Sequence, residues 1–118
     1  ANQAVKHHCA DVAIALEFAG PLVQVAAWAM AAGAGTGAMG GDEAGTVSTD
    51  VSMAKSAASD AVDLACRAAL QCHGAIGYTI EYDLQLWLKR GWALAASWGD
   101  SRLHRRRIAA GLGLATGR

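Results

Sequence analysis

Apolar side chains open the chain at alternating steps of four and three: Val5, Cys9, Val12, Leu16, Ala19, Val23, Ala26 and Met30. On a helix of 3.6 residues per turn this spacing makes one continuous seam, and Lys6, His7, Asp11 and Glu17 fall off it. The pattern predicts a long first helix ending near Ala32-Gly33. Gly20-Pro21 interrupts it. An interior proline removes one backbone hydrogen bond and crowds the preceding turn, so a kink is expected there and not a break. Residues 33–46 are rich in glycine and read as a loop. Ser48-Thr49-Asp50 supply N-cap chemistry for a second helix. On it Ala54, Ala57, Ala61, Leu64, Ala68 and Gln71 share a face of nearly pure alanine, which lets a partner helix come close. Gly74 is a natural terminator, and Gly74 to Thr79 forms a tight loop. A third helix carries Leu84, Leu88, Ala95 and Trp98 on one stripe, widened by Trp87 and Leu94. Gly99 stops it, and Asp100 or Ser101 caps a short last helix bearing Arg102, His104, Arg105, Arg106 and Arg107. The expected fold is all-α: one domain over residues 1–118, a mostly antiparallel bundle of about four helices.

Composition agrees. The 118 residues are 53% hydrophobic with a single proline, and much of that apolar content is alanine, the strongest helix former. Ten basic residues balance ten acidic ones, which argues against a nucleic-acid partner. Cys9, Cys66 and Cys72 are odd in number and in no CxxC spacing, as expected of reduced thiols in a cytoplasmic protein. No uninterrupted apolar run approaches the ~18 residues of a membrane span, and no basic segment followed by an apolar one marks a secretory signal. No membrane association is expected. The chain opens without Met and already on a helical pattern, which suggests that further sequence precedes it.

Several clusters invite chemistry. His7-His8-Cys9 suggests a metal, but adjacent helical residues diverge by about 100°, and the pair His7 and Asp11 alone makes a weak site; no metal is expected. Cys72-His73 could pair thiolate with imidazole, although sequence neighbours seldom meet side by side. The glycine-rich loop lacks the preceding strand and the lysine of a phosphate-cradling loop. Arg105-Arg106-Arg107 reads as a solvated or interfacial face. The most informative stretch is Gln71-Cys72-His73-Gly74-Ala75-Ile76-Gly77-Tyr78-Thr79-Ile80-Glu81-Tyr82: a helix end, a glycine turn and an aromatic, which together expose backbone groups at a bend.

That stretch resembles the Q-x-x-G-G-x-G-F/Y-x-x-E motif of the acyl-CoA dehydrogenases. Gln3-Ala4, Ala10-Asp11, Glu17, Ala19 and Ala26-Ala27-Trp28 are similar to the family's first helix of this region in order and spacing. Ser52-Met53-Ala54-Lys55 resembles the opening of its second, and Leu88-Lys89-Arg90 with Arg106 fits its end. The resemblance covers nearly the whole chain except the glycine-rich loop. It implies the C-terminal helical domain of a three-domain flavoprotein, inactive in isolation, with FAD as cofactor. It also implies assembly into a dimer or tetramer through these helices, and flavin shared across a subunit boundary. Carried over by position, Gln71, Gly74 and Ala75 contact the adenosine half of FAD, Gly77 shapes the turn, and Gln3 matches a glutamine near the flavin. Ala75 stands where the family has its second glycine.

The family reaction belongs to fatty-acid and lipid metabolism. A carboxylate removes the α-proton of an acyl-CoA thioester while the β-hydride goes to flavin. In many members that carboxylate belongs to a Tyr-Glu-Gly-Thr segment, which aligns here with Trp98-Gly99-Asp100-Ser101. Ser101 takes the threonine's place beside the cofactor, and Gly99 takes the glutamate's. Three readings remain open: a base on an earlier helix, a non-catalytic subunit of a heteromeric dehydrogenase, and Asp100 as a displaced base. A stand-alone helical interaction module would account for the composition but not for the ordered motifs.

Overall fold

The computed structural model describes residues 2–32 and 43–114. Four α-helical segments appear in them: α1 (Gln3–Ala32), α2 (Glu43–His73), α3 (Leu84–Ala96) and α4 (Ser101–Gly111), with a 3-10 turn, Gly74–Tyr78, between α2 and α3. No strand occurs among the described residues. The expected loop lies outside the described residues over 33–42, and its last part is helical, because α2 begins at Glu43. Thr49 and Asp50 are therefore not caps but buried positions inside α2, where the Thr49 hydroxyl donates to the Gly45 carbonyl at 2.9 Å.

α1 runs through Pro21 without a break. Its packed side repeats at seven-residue intervals, but only half of the expected seam lies on it. Val5, Val12, Ala19 and Ala26 are buried or half-buried, together with His8, Ala15, Leu22 and Ala29. Cys9, Leu16, Val23 and Met30 are exposed instead, Met30 at 64%. The contact has rotated by one residue, which exchanges Leu16 and Met30 for Ala15 and Ala29; alanine lets helix axes approach closely, and Ala29 is wholly buried. The bulkier flank, together with Ile14, Phe18, Val25 and Trp28, is left open. By length and composition α1 is apolar enough to cross a membrane, with a mean hydropathy of 1.6 over a window only 17% buried. The expectation of no span rested on an uninterrupted run and missed this.

α2 is the hub. Ala54, Ala61 and Ala68 are buried at seven-residue steps, on the side where Ala65, Ala68 and Ala69 meet α1. The opposite side buries Thr49, Ser52, Ser56, Ser59 and Cys66. Here α3 and α4 pack. A Cβ on Gly91 of α3 would come within 2.9 Å of Val62 and 3.2 Å of the Cys66 sulfur, and one on Gly111 of α4 would collide with the Thr49 hydroxyl. Small residues thus set both spacings. The α3 stripe is Leu84, Leu88, Gly91 and Ala95. Trp87 and Trp98, expected on it, point to solvent, and Leu94 is 40% exposed. α3 also ends at Ala96, before Gly99.

The helices form three rods, not four. The start of α1 lies beside the end of α2, so these two are antiparallel. α3 descends α2 from Leu84, beside Gly77 and Leu70, to Ala95, where Lys55 reaches its end. α4 then continues in the same direction, from Ser101 against Ser56 to Gly111 against Thr49. It prolongs the third rod and does not fold back as a fourth. The Cα radius of gyration is 17.1 Å, against about 13–14 Å for a compact domain of this length. Among the described residues α1 and the α3–α4 rod pack on opposite sides of α2, which makes an open layer of three rods.

Candidate functional site

The turn after α2 is built by two glycines. Gly74 has φ +62°, a conformation that glycine adopts without steric cost. A Cβ added there would meet nothing within 4 Å. Gly77 does the opposite task. It is buried, and a Cβ on it would press within 3.2 Å of His73 and 3.3 Å of Leu84, so its absence lets the turn tuck between α2 and α3. The Thr79 hydroxyl and backbone N–H both donate to the Ile76 carbonyl, at 2.9 and 3.1 Å, and close the turn. His73 braces it from within α2: its Nδ1 donates to the Ala69 carbonyl at 2.8 Å, and its ring lies 5.1 Å from that of Tyr82. Gln71, Gly74 and Ala75 form the exposed rim, flanked by the largely exposed Ile76, Tyr78 and Ile80. Ala75 does not have a positive φ, so alanine in the place of a second glycine is conformationally ordinary.

The bend before α4 is the second candidate. The Ser97 hydroxyl and N–H end α3 on the Ala93 carbonyl at 2.6 and 3.0 Å. Two left-handed residues follow, Trp98 at φ +58° and Gly99 at φ +103°. For tryptophan this conformation costs about 1–3 kcal/mol, and the indole gains no burial in return, being 81% exposed. The Asp100 carboxylate accepts from the Leu103 N–H at 2.8 Å and caps α4, a role poorly suited to a proton acceptor for substrate. Gly99 offers no side chain, and its N–H has no acceptor among the described residues. The Ser101 hydroxyl is turned inward, 2.8 Å from that of Ser56.

The candidate residues divide into two groups. Gln3, exposed at the start of α1, belongs to the end of the molecule where His8 and Cys9 face Cys72 and His73, the end that carries the Gln71–Gly77 turn. Gly99, Asp100 and Ser101 lie beside Ser56, which is about 22 Å from Gln71 at 1.5 Å per helical residue. Between α1 and α2 runs an apolar groove of about 420 Å3, lined by His8, Cys9, Leu16, Ala68 and Cys72 among others; the sequence reading did not find it. That reading named Lys55 only within a motif and gave it no role; the Lys55 ammonium donates to the Leu94 and Ala95 carbonyls at 3.1 and 2.9 Å and to Ser59 at 2.7 Å. That cation binds the carbonyl end of α3 to α2, where the helix dipole favours it. Burial, with the nearby Asp63 carboxylate adding to it, pushes the Cys66 thiol above its ordinary pKa. Among the described residues no three His, Cys, Asp or Glu side chains converge as metal ligands would. Arg105, Arg106 and Arg107 are all exposed, and Arg105 pairs with Asp60 of α2.

The sequence model of the family described as acyl-CoA dehydrogenase, C-terminal domain, matches residues 1–113. The chain belongs to the acyl-CoA dehydrogenase family. The match takes in both candidate sites and all four helical segments, and the family is one of oxidoreductases. No curated protein and no solved structure matches the chain.

Proposed function

We propose that this chain is the C-terminal domain of an FAD-dependent acyl-CoA dehydrogenase acting on the α,β-bond of an acyl-CoA thioester. In this reading it supplies FAD contacts and an oligomer interface, and acts in the cytoplasm. The Gln71–Gly77 turn carries the reading. Its rim fits the sugar-bearing half of a dinucleotide: bare backbone at Gly74 and Ala75, an amide at Gln71 and an aromatic at Tyr78, with no side chain overhanging Gly74. The ~22 Å between this turn and the Trp98–Ser101 bend, taken along α2, suits contacts with two different flavins across a subunit boundary. The uncovered flank of α1 supports a partner in the assembly.

FAD, when bound, would accept the β-hydride; the chain's own part at the bend is the Gly99 N–H, a donor for the thioester oxygen as negative charge develops on it. The glycine at the usual glutamate position, with φ +103°, favours a second reading, that of a non-catalytic subunit in a heteromeric dehydrogenase. In either reading the proton acceptor is supplied from outside these residues.

The test is FAD retention by the intact protein. Gln71→Ala and Ala75→Leu change exposed residues in ordinary conformations. Both should weaken FAD binding at least tenfold while the helical circular dichroism is unchanged. Undiminished FAD affinity in both variants would remove the turn from the site. Absence of flavin absorbance in the intact protein would favour a stand-alone helical module.

A further inference from the structure

His104 belongs to neither candidate site described above, yet it is the most deeply buried imidazole of the described residues, 4% exposed. Its Nε2 lies 3.2 Å from the Trp98 carbonyl. A carbonyl oxygen can only accept, so Nε2 carries the proton. The other ring nitrogen, Nδ1, is buried and has no partner among the described residues. An unpaired buried nitrogen is a standing penalty, and a leucine would fill the same helix position without it. The one polar return from the imidazole is its hydrogen bond to Trp98. That carbonyl closes the first of two consecutive left-handed residues, a conformation that persists in a non-glycine residue only where its surroundings over-determine it.

The Ser97 contacts with Ala93 end α3 and the Ser101 contact with Ser56 holds α4 to α2; three further ties span the bend between them. The Asp100 carboxylate takes the Leu103 N–H at 2.8 Å, the Asp100 carbonyl takes the His104 N–H at 3.2 Å, and the His104 ring reaches back over six residues to Trp98. The first two fix the start of α4 and leave the peptide between Trp98 and Gly99 free to rotate. Among the hydrogen bonds of the described residues, only the third holds that peptide, whose nitrogen is the Gly99 N–H.

We propose that His104 is a positioning residue: its Nε2–H, donated to the Trp98 carbonyl, locks the Trp98–Gly99 peptide and so holds the Gly99 N–H in one direction, ready for a carbonyl oxygen that gains negative charge. The two statements are one rotation, because the C=O and N–H of a single planar peptide point in opposite directions. Pinning the oxygen inward to His104 aims the hydrogen outward. The catalytic consequence rests on the acyl-CoA dehydrogenase reading above; the clamp itself does not.

The experiment compares His104→Leu and His104→Gln with the parent in the intact flavin-loaded protein, assembled with its partner subunit if it has one. Glutamine keeps an N–H donor at a similar reach, and leucine keeps only the volume. Anaerobic flavin bleaching by a straight-chain acyl-CoA should show a limiting rate about tenfold lower in the leucine variant, equal to about 1.4 kcal/mol in the barrier. The half-saturating acyl-CoA concentration should stay within about twofold, and glutamine should recover most of the rate. A leucine variant as fast as the parent, or a glutamine variant no faster than leucine, overturns the proposal. Nitrogen-15 spectra of the labelled histidines supply a readout independent of turnover. They should show one hydrogen-bonded Nε2–H tautomer that disappears in both variants, whereas an Nδ1–H tautomer would overturn the clamp. If the parent itself is not bleached by any acyl-CoA, the dehydrogenase reading fails, and the tautomer alone decides the clamp.

Discussion

Returning a carboxylate to position 99 is the most informative single substitution. Gly99→Glu places a glutamate where much of the family keeps its base, yet here it should destabilise the protein without restoring one. The backbone there has φ +103°, a region that costs a residue with a side chain about 1–3 kcal/mol. The new Cβ would also lie 2.5 Å from Leu103 Cδ2, and turning that leucine aside adds about 0.5–1.5 kcal/mol. The expected loss is about 1.5–4.5 kcal/mol, well beyond the ~0.5 kcal/mol of an ordinary surface change. Because both contributions arise at Cβ and the backbone, Gly99→Ala should lose nearly as much as Gly99→Glu, and Leu103→Ala added to Gly99→Glu should relieve only the smaller part. Urea unfolding of the four proteins, followed by circular dichroism, measures this, and anaerobic flavin bleaching by acyl-CoA follows the chemistry. A Gly99→Glu protein as stable as the parent, or one that bleaches faster, would show that the bend relaxes to accept a side chain and would refute the reasoning.

Asp100→Asn keeps a capping side chain on the Leu103 N–H, so it should lose at most about 1 kcal/mol and leave acyl-CoA bleaching intact; a fall of several orders of magnitude with FAD still bound would make Asp100 the base. Lys55→Met removes the cation that holds the end of α3 and should cost about 1.5–3 kcal/mol in urea unfolding, an unchanged midpoint counting against that role. The Cys66 proton is held more tightly in the folded than in the unfolded state, so this contribution to stability is complete below the ordinary thiol pKa of about 8.5 and is lost as pH rises through the higher folded value. Iodoacetamide at mildly alkaline pH should therefore label exposed Cys9 well before Cys66, and equal labelling rates would contradict the burial. The open flank of α1 should hold the intact protein in a dimer or tetramer at micromolar concentration, and a strict monomer in sedimentation would argue against a subunit interface there.

Features decided within a few neighbouring residues were legible in the sequence. Alanine content and spacing were enough for an all-α chain, and Gly74 was readable as the end of α2 because only glycine takes its left-handed turn freely. Asp100 was readable as a cap because the N–H it binds is three residues away. The start of α2 was not legible: Ser48-Thr49-Asp50 have cap chemistry, but Thr49 is satisfied inside the helix by the Gly45 carbonyl and buried against α4. Tertiary structure decided which of two overlapping seams α1 would use. Val5, Val12, Ala19 and Ala26 serve both, and close approach to α2 chose Ala15 and Ala29 over Leu16 and Met30. The serine, threonine and cysteine face of α2 was invisible to a hydrophobic period, because small polar residues signal nothing until a second helix close enough to exclude water packs on them. The continuation of α4 along the third rod and the His104 contact with Trp98 had the same origin. Both depend on the path of the bend at Trp98 and Gly99, and no spacing along one helix encodes what lies across a turn in the chain.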